Sequence, residues 1–271
     1  MLRLTRAWNL LILIFTQYFT AWFLIGIDVT RDLKLFLLAI STTLIAAGGY
    51  VINDYYDVKI DFINYPDRVV VGKTIHRRFA ILLHGALSLA GIALAVFLSW
   101  WIVAIHIFSV SLLWFYSNLL KRLPFVGNLA VALLTGLSLA VLNVLYWDIN
   151  LLVIIYAVFA FFMTLVREII KDMEDLKGDN TYGCKTIPIV WGIRKTKIFV
   201  YAIIGLFVVI VFAINQVYVH LPIIYFVMLL FVPLTWLVAQ LARADVKRDY
   251  KLLSSFCKVI MLLGILSMAL V

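Results

Sequence analysis

Residues 33–61 read LKLFLLAISTTLIAAGGYVINDYYDVKID, an apolar run that passes without a break into one asparagine, three aspartates and a lysine. About twenty such apolar residues cross ~30 Å of hydrocarbon as a helix, because lipid offers no partner to an open backbone. The acidic end is too polar to follow them in. The whole chain has the same bias: 65% of its 271 residues are hydrophobic and 14% charged, whereas soluble domains are about half apolar and a quarter charged. The stretch therefore reads as one span of a polytopic membrane protein, with acid gathered at its end.

Carried outward, this reading gives an all-α membrane helix bundle of nine spans, at 8–27, 33–52, 79–99, 102–119, 125–147, 150–166, 199–218, 221–241 and 252–271, in a single domain over 1–271. Arg3 and Arg6 precede the first span and no small-residue cleavage site follows it, so it is expected to be a retained helix. Of the 23 Lys and Arg, all but Arg31, Lys34 and Lys258 fall in the N-terminal tail or in loops after even-numbered spans. The positive-inside rule makes that face cytoplasmic, with the N-terminus inside, the C-terminus outside, and the cell's inner membrane as location. The net charge of +9 then serves topology and contact with anionic lipid headgroups, with no call for nucleic acid. Cys184 and Cys257, in a loop and a span, are not expected to pair. The four histidines show no ligand spacing, so no zinc site is expected.

Setting NDYYDVKID (53–61) over KDMEDLKGD (171–179) superimposes Asp54, Asp57 and Asp61 on Asp172, Asp175 and Asp179, and Lys59 on Lys177. Lys73-Thr74-Ile75 and Lys185-Thr186-Ile187 form a fainter echo. Four spans separate the copies, so both helices run the same way and both clusters leave the membrane on one face. Such parallel repeats predict two four-helix units plus a ninth helix, with the acidic clusters facing across a cavity.

On helices, Asp54, Asp57 and Asp61 stack on one face at i, i+3 and i+7, with Asn53 and Asp57 an i, i+4 pair; the second copy repeats the pattern. Six carboxylates turned inward must be neutralised. Magnesium suits them, since it takes hard oxygen ligands and typically joins one or two carboxylates to substrate phosphates. On the same face, Arg68, Lys73, Lys121, Arg122, Arg167, Lys171 and Lys185 are candidate partners for diphosphate oxygens, and WFYSNLLKR (114–122) adds Tyr116 and Ser117. A solvated acidic loop or a transporter's ion path are the other readings. Transporters usually hold their acids near mid-membrane, whereas spans two and six here carry none before their ends.

With both motifs in view, the sequence resembles the UbiA family of intramembrane prenyltransferases. Asn53 to Asp61 fits that family's N-D-x-x-D-x-x-x-D and Asp175 to Asp179 fits its D-x-x-x-D; INYPDR (63–68), YSNLLKR (116–122), GNL (127–129) and GCKTIPI (183–189) agree. Val69 departs from the proline common after the arginine. The resemblance implies two magnesium ions binding a polyprenyl diphosphate: Asn53 and Asp57 at one, Asp175 and Asp179 at the other, and Asp54, Asp61 and Asp172 as direct or water-mediated ligands. It implies catalysis centred on Asp54, Asp57, Asp175, Lys121 and Arg122, with Arg68, Lys73, Tyr116, Ser117, Arg167 and Lys185 as substrate contacts. Two cap loops, 62–78 and 180–197, would cover the site, and Tyr55, Tyr56, Trp114, Phe115 and Tyr116 are candidates to shield an allylic cation. REIIKDMEDLKGD (167–179) looks most like the branch that adds geranylgeranyl to the hydroxyl of geranylgeranylglyceryl phosphate. Members that prenylate hydroxybenzoate, dihydroxynaphthoate or homogentisate share the same motifs and are the alternative acceptor reading. A CDP-alcohol phosphotransferase is more distant, since neither copy holds its D-G-x-x-A-R segment. The implied partners are the two lipophilic substrates and membrane lipid, with no obligate protein partner.

Overall fold

The computed structural model describes residues 4–216 and 230–270. Its regular elements are helices: α1 Ala7–Thr20, continued by a π-helical turn Ala21–Ile25, α2 Leu33–Asn64, α3 Arg77–Val96, α4 Trp100–Asn118, α5 Val126–Tyr146, α6 Leu151–Thr181, the short α7 Ile187–Trp191, α8 Ile193–Ile214, α9 Val232–Arg243 and α10 Lys247–Ser267. Among the described residues, eight helices are long and apolar enough to cross a membrane. Of the span expected at 221–241, residues 221–229 lie outside the described residues, and α9 covers the part from Val232 onward.

Two helices outrun the membrane. α2 has 32 residues and α6 has 31, about 48 and 46 Å at 1.5 Å per residue, against ~30 Å of hydrocarbon. Both acidic clusters lie in this surplus length, still helical, so the i, i+3, i+7 spacing becomes a ladder of carboxylates on one face. The boundary between spans three and four falls at Ser99, whose hydroxyl accepts from the Ile102 backbone amide at 3.2 Å and caps α4.

α2 packs along α3 and α4, and α6 along α5 and α10. Small residues bring α2 and α3 together: a Cβ on Gly91 would stand 2.9 Å from the Ser41 carbonyl. Two buried histidines join neighbouring helices, His84 Nδ1 to the Gly48 carbonyl at 3.0 Å and His106 Nε2 to Ser41 Oγ at 2.9 Å; His220 lies outside the described residues. One apolar cluster joins α6, α8, α9 and α10 around Phe207, Ile169 and Leu237; a second, around Leu38, Ile102 and Leu142, fills the end remote from the ladders.

That remote end is tied by polar caps. Asp32 accepts from the Leu35 amide and the Tyr146 hydroxyl at 3.0 and 2.9 Å, and Asn150 caps α6 while donating to the Leu24 carbonyl at 2.7 Å. Trp22, Trp100, Trp101 and Trp147 stand exposed around it, the placement expected of a membrane-interface aromatic belt. Cys184 and Cys257 are free and buried.

Candidate active site

The ladder ends of α2 and α6 meet. Asn64, the last residue of α2, donates from Nδ2 to the Asp175 carbonyl at 3.2 Å and accepts the Gly178 amide at 3.1 Å. Gly178 is required for this approach, since a Cβ there would lie 2.4 Å from Asn64 Nδ2. The next residue, Tyr65, donates to Glu174 Oε1 at 2.6 Å, whose other oxygen accepts from Ser254 of α10 at 3.0 Å. Lys247, which opens α10, donates to the Asn64 carbonyl at 2.9 Å and lies over the Tyr65 ring. Glu174 is thus fully occupied in joining α2, α6 and α10, and its face of α6 is distinct from the ladder.

Each ladder has cationic or amide partners. Lys121 reaches Asp57, carried there by the 3-10 turn Leu120–Arg122. Gly127 lets the start of α5 lie against that turn, because a Cβ there would be 2.8 Å from Lys121 Cα. The neighbouring Asn128 donates to Asp172 Oδ2 at 2.8 Å. Arg6 folds back ahead of α1, in left-handed backbone at φ 51°, to bond Asp54 Oδ1 at 3.1 Å and cover the Tyr50 ring. Lys171 sits in the field of carboxylates from both copies, Asp54 and Asp61 of the first and Asp172, Asp175 and Asp179 of the second. Asp57 and Asp179 also act on each other. Beyond the span, burial, then the charge of Asp175, pushes Asp179 up to about 7, and burial likewise raises Asp175. Burial is the larger cause at both, with the like charges of Asp175 and Asp57 adding to it at Asp179.

Two acceptors in this wall are orphans: Asn53 Oδ1 and Asp175 Oδ1 are buried with no hydrogen-bond partner. Native interiors rarely leave such atoms unmet. Each lies in a different ladder copy, at a position expected to face a cation, so the donor set of hard oxygens fits divalent magnesium. Asn53, Asp57, Asp175 and Asp179, with Asp54, Asp61 and Asp172 beside them, are the residues available to hold it.

The other expected residues divide. Tyr116 lies in the field of Glu168, Asp57 and Asp172. Ser117 is spent on the Leu113 carbonyl at 2.8 Å. Arg167 pairs with Glu168. Lys73 turns back into its own loop, donating to the Pro66 carbonyl at 2.8 Å over the Phe62 ring. Arg122 and Lys185 are exposed, although their backbones meet, with the Lys185 amide on the Arg122 carbonyl at 2.8 Å. The side chain of Arg68 lies outside the described residues. Trp114 and Phe115 point outward, Tyr55 packs under Arg77 and edge-on against Tyr56, and Tyr116 is near the carboxylates of both ladders. The segment 62–78 is helical to Asn64 and then holds a 3-10 turn and a bridge between Val71 and Ile75; much of 180–197 is helix α7 and the start of α8. Sequence reading left out Asn64, Tyr65 and Asn128, although each sits in a quoted flanking motif, and it assigned Arg6 only to topology.

Comparison with known proteins gives a consistent answer. The family model described as the UbiA prenyltransferase family matches residues 11–263. The chain is 37% identical over 221 residues to the digeranylgeranylglyceryl phosphate synthase of Sulfurisphaera tokodaii, covering 81% of this chain and 79% of that one. It is 34% identical over 243 residues to the synthase of the same name from Korarchaeum cryptofilum, covering 88% and 86%. A 41% identical match from Saccharolobus solfataricus spans 63% of that protein, a little under two thirds. Among solved structures, one of digeranylgeranylglyceryl phosphate synthase in membranes aligns with a TM-score of 0.76 at 25% identity, over 99% of this chain and 96% of that one. A UbiA homolog from Archaeoglobus fulgidus bound to DMAPP and Mg2+ aligns with a TM-score of 0.71 at 19% identity, over 100% and 99%, and so shares the fold.

Proposed function

The chain belongs to the UbiA prenyltransferase family, and from that premise we propose that it transfers a geranylgeranyl group from its diphosphate to the free hydroxyl of geranylgeranylglyceryl phosphate. The relatives of at least 34% identity named above carry the name of that synthase. The observation that carries the chemistry is the pair of orphaned buried acceptors, Asn53 Oδ1 and Asp175 Oδ1, one in each acidic copy.

In the reaction the C1–O bond of the prenyl diphosphate breaks, both electrons leaving with the diphosphate. A bond forms from C1 to the acceptor oxygen, and the hydroxyl proton is released. Asn53, Asp57, Asp175 and Asp179 would hold magnesium, which would supply the positive charge that the departing diphosphate needs. Lys121 and Lys171 stand ready to add theirs, Lys121 by moving from Asp57 to a phosphate oxygen. Arg6 and Asn128 hold Asp54 and Asp172 in orientation. Tyr116 presents its ring beneath the ladders, where a developing allylic cation gains from an aromatic face and loses contact with water. The acidic end faces the cytoplasm under the positive-inside rule.

The test is product analysis with purified protein, geranylgeranyl diphosphate and magnesium. We expect the double ether from geranylgeranylglyceryl phosphate; a product from an aromatic quinone precursor alone would reassign the acceptor. Chelation should abolish turnover and magnesium restore it. Asp57→Asn and Asp175→Asn should each lower turnover at least about 100-fold with unchanged helical content, and full turnover in both would refute the role of the ladders.

A further inference from the structure

Polar character does not stop at the ladders. Further into the membrane along α6, Arg167 pairs with the buried Glu168, while Arg167 Nε is itself buried without a hydrogen-bond partner. Antiparallel α6 and α10 are cross-linked by Glu174 with Ser254 and by Tyr156 with Ser267. That register sets Lys258 level with Arg167–Ile170, eleven residues in from Lys247, or about 16 Å of helix. Lys258 makes no salt bridge among the described residues, and its charged neighbours are Arg167, Lys171 and Arg6 against the single carboxylate of Glu168. Arg6 is engaged by Asp54, and Lys171 by the ladders. The layer therefore carries surplus positive charge inside a span, where unneutralised charge costs several kcal/mol.

The surplus is also directional. Lys258 is exposed while Arg167 is largely buried, so the pair opens sideways, toward lipid. α1 and α10 join at the far end, where Thr20 Oγ1 bonds Met268 Sδ at 3.4 Å; nearer the ladders Arg6 and Lys258 oppose each other as like charges. Lys258 is thus the accessible side of the pair and Arg167 its buried side. Asp172 lies five residues along α6 from Arg167, about 7.5 Å, so this position is separate from the one the diphosphate takes.

Resting on the acceptor reading above, we infer that Arg167 and Lys258 form a membrane-side site for the phosphate of the acceptor lipid. A phosphate monoester carries nearly two charges at neutral pH. The Arg167 fork and the Lys258 point charge are complementary donors for it. The acceptor's free hydroxyl lies on the carbon adjacent to the phosphate-bearing one, so anchoring the phosphate here directs that oxygen up toward the ladders and leaves the hydrocarbon chain in the bilayer.

Steady-state kinetics with geranylgeranylglyceryl phosphate, and with its dephosphorylated counterpart, test this in wild type, Lys258→Gln and Lys258→Arg. We expect Lys258→Gln to raise KM for the phosphorylated acceptor at least tenfold, with KM for geranylgeranyl diphosphate and kcat at saturation within twofold. Turnover of the dephosphorylated acceptor should be unchanged, and Lys258→Arg should restore the wild-type preference. Anionic phosphatidylglycerol in the micelle should compete with the phosphorylated acceptor in wild type and Lys258→Arg but not in Lys258→Gln. An unaltered KM, or an equal loss with both acceptors, overturns the phosphate site while leaving the acceptor reading intact. Absence of product from either glycerol ether in wild type overturns both.

Discussion

A single side chain, Asn64, closes the two copies of the acidic motif against each other, through one bond to the Asp175 carbonyl and one from the Gly178 amide. Removing it leaves both backbone groups without that partner. We expect Asn64→Ala to destabilise the protein by about 1–3 kcal/mol, read as a lower midpoint of thermal unfolding in detergent. Gly178→Ala should act through the same contact, at a similar cost of about 1–3 kcal/mol for overpacking. Because the added methyl would strike the Asn64 side chain, combining the two changes should cost less than their sum; additive losses would show that the contact is not shared. Arg6 illustrates the opposite lesson. As a residue type it is an ordinary positive charge flanking a first span, and its pairing with Asp54 exists only because the tail folds back.

At the level of elements, helix length is the deciding quantity. Helices of 32 and 31 residues carry an apolar stretch and a carboxylate ladder on one continuous rod, so the rotational position of each acid is inherited from the membrane-buried part below it. Whatever sets α2 against its neighbours therefore aims the ladder. Gly91 of α3 touches the Ser41 carbonyl of α2, a backbone atom that cannot move aside. We expect Gly91→Val to force these helices apart, lowering stability by about 1–3 kcal/mol, and to reduce turnover although position 91 lies at the opposite end of α3 from the ladders. Full activity at a reduced melting point would show that ladder orientation does not depend on this contact.

Over the whole molecule, the integral-membrane bundle has its charge-rich loops at one end and exposed tryptophans around the other. The orientation proposed above, with the ladders toward the cytoplasm, rests on the positive-inside rule. Replacing Cys184 and Cys257 by serine and introducing Lys195→Cys or Asp148→Cys, both exposed and at opposite ends, gives a direct reading. An impermeant maleimide should label position 148 in intact cells and position 195 only after permeabilisation; the reverse pattern would invert the orientation. The amino-acid sequence by itself determined the membrane class, the all-helical fold and the duplicated aspartate spacing, because hydrophobic length and i, i+3, i+7 periodicity are local properties of a helix. Tertiary structure alone decided which basic residues lie against the ladders. Arg6 and Lys121 pair with carboxylates and Lys171 lies in their field, while Lys73 turns back into its own loop and Lys185 is exposed, and that depends on how loops and helix ends fold back, at distances along the chain over which local sequence carries no geometric information.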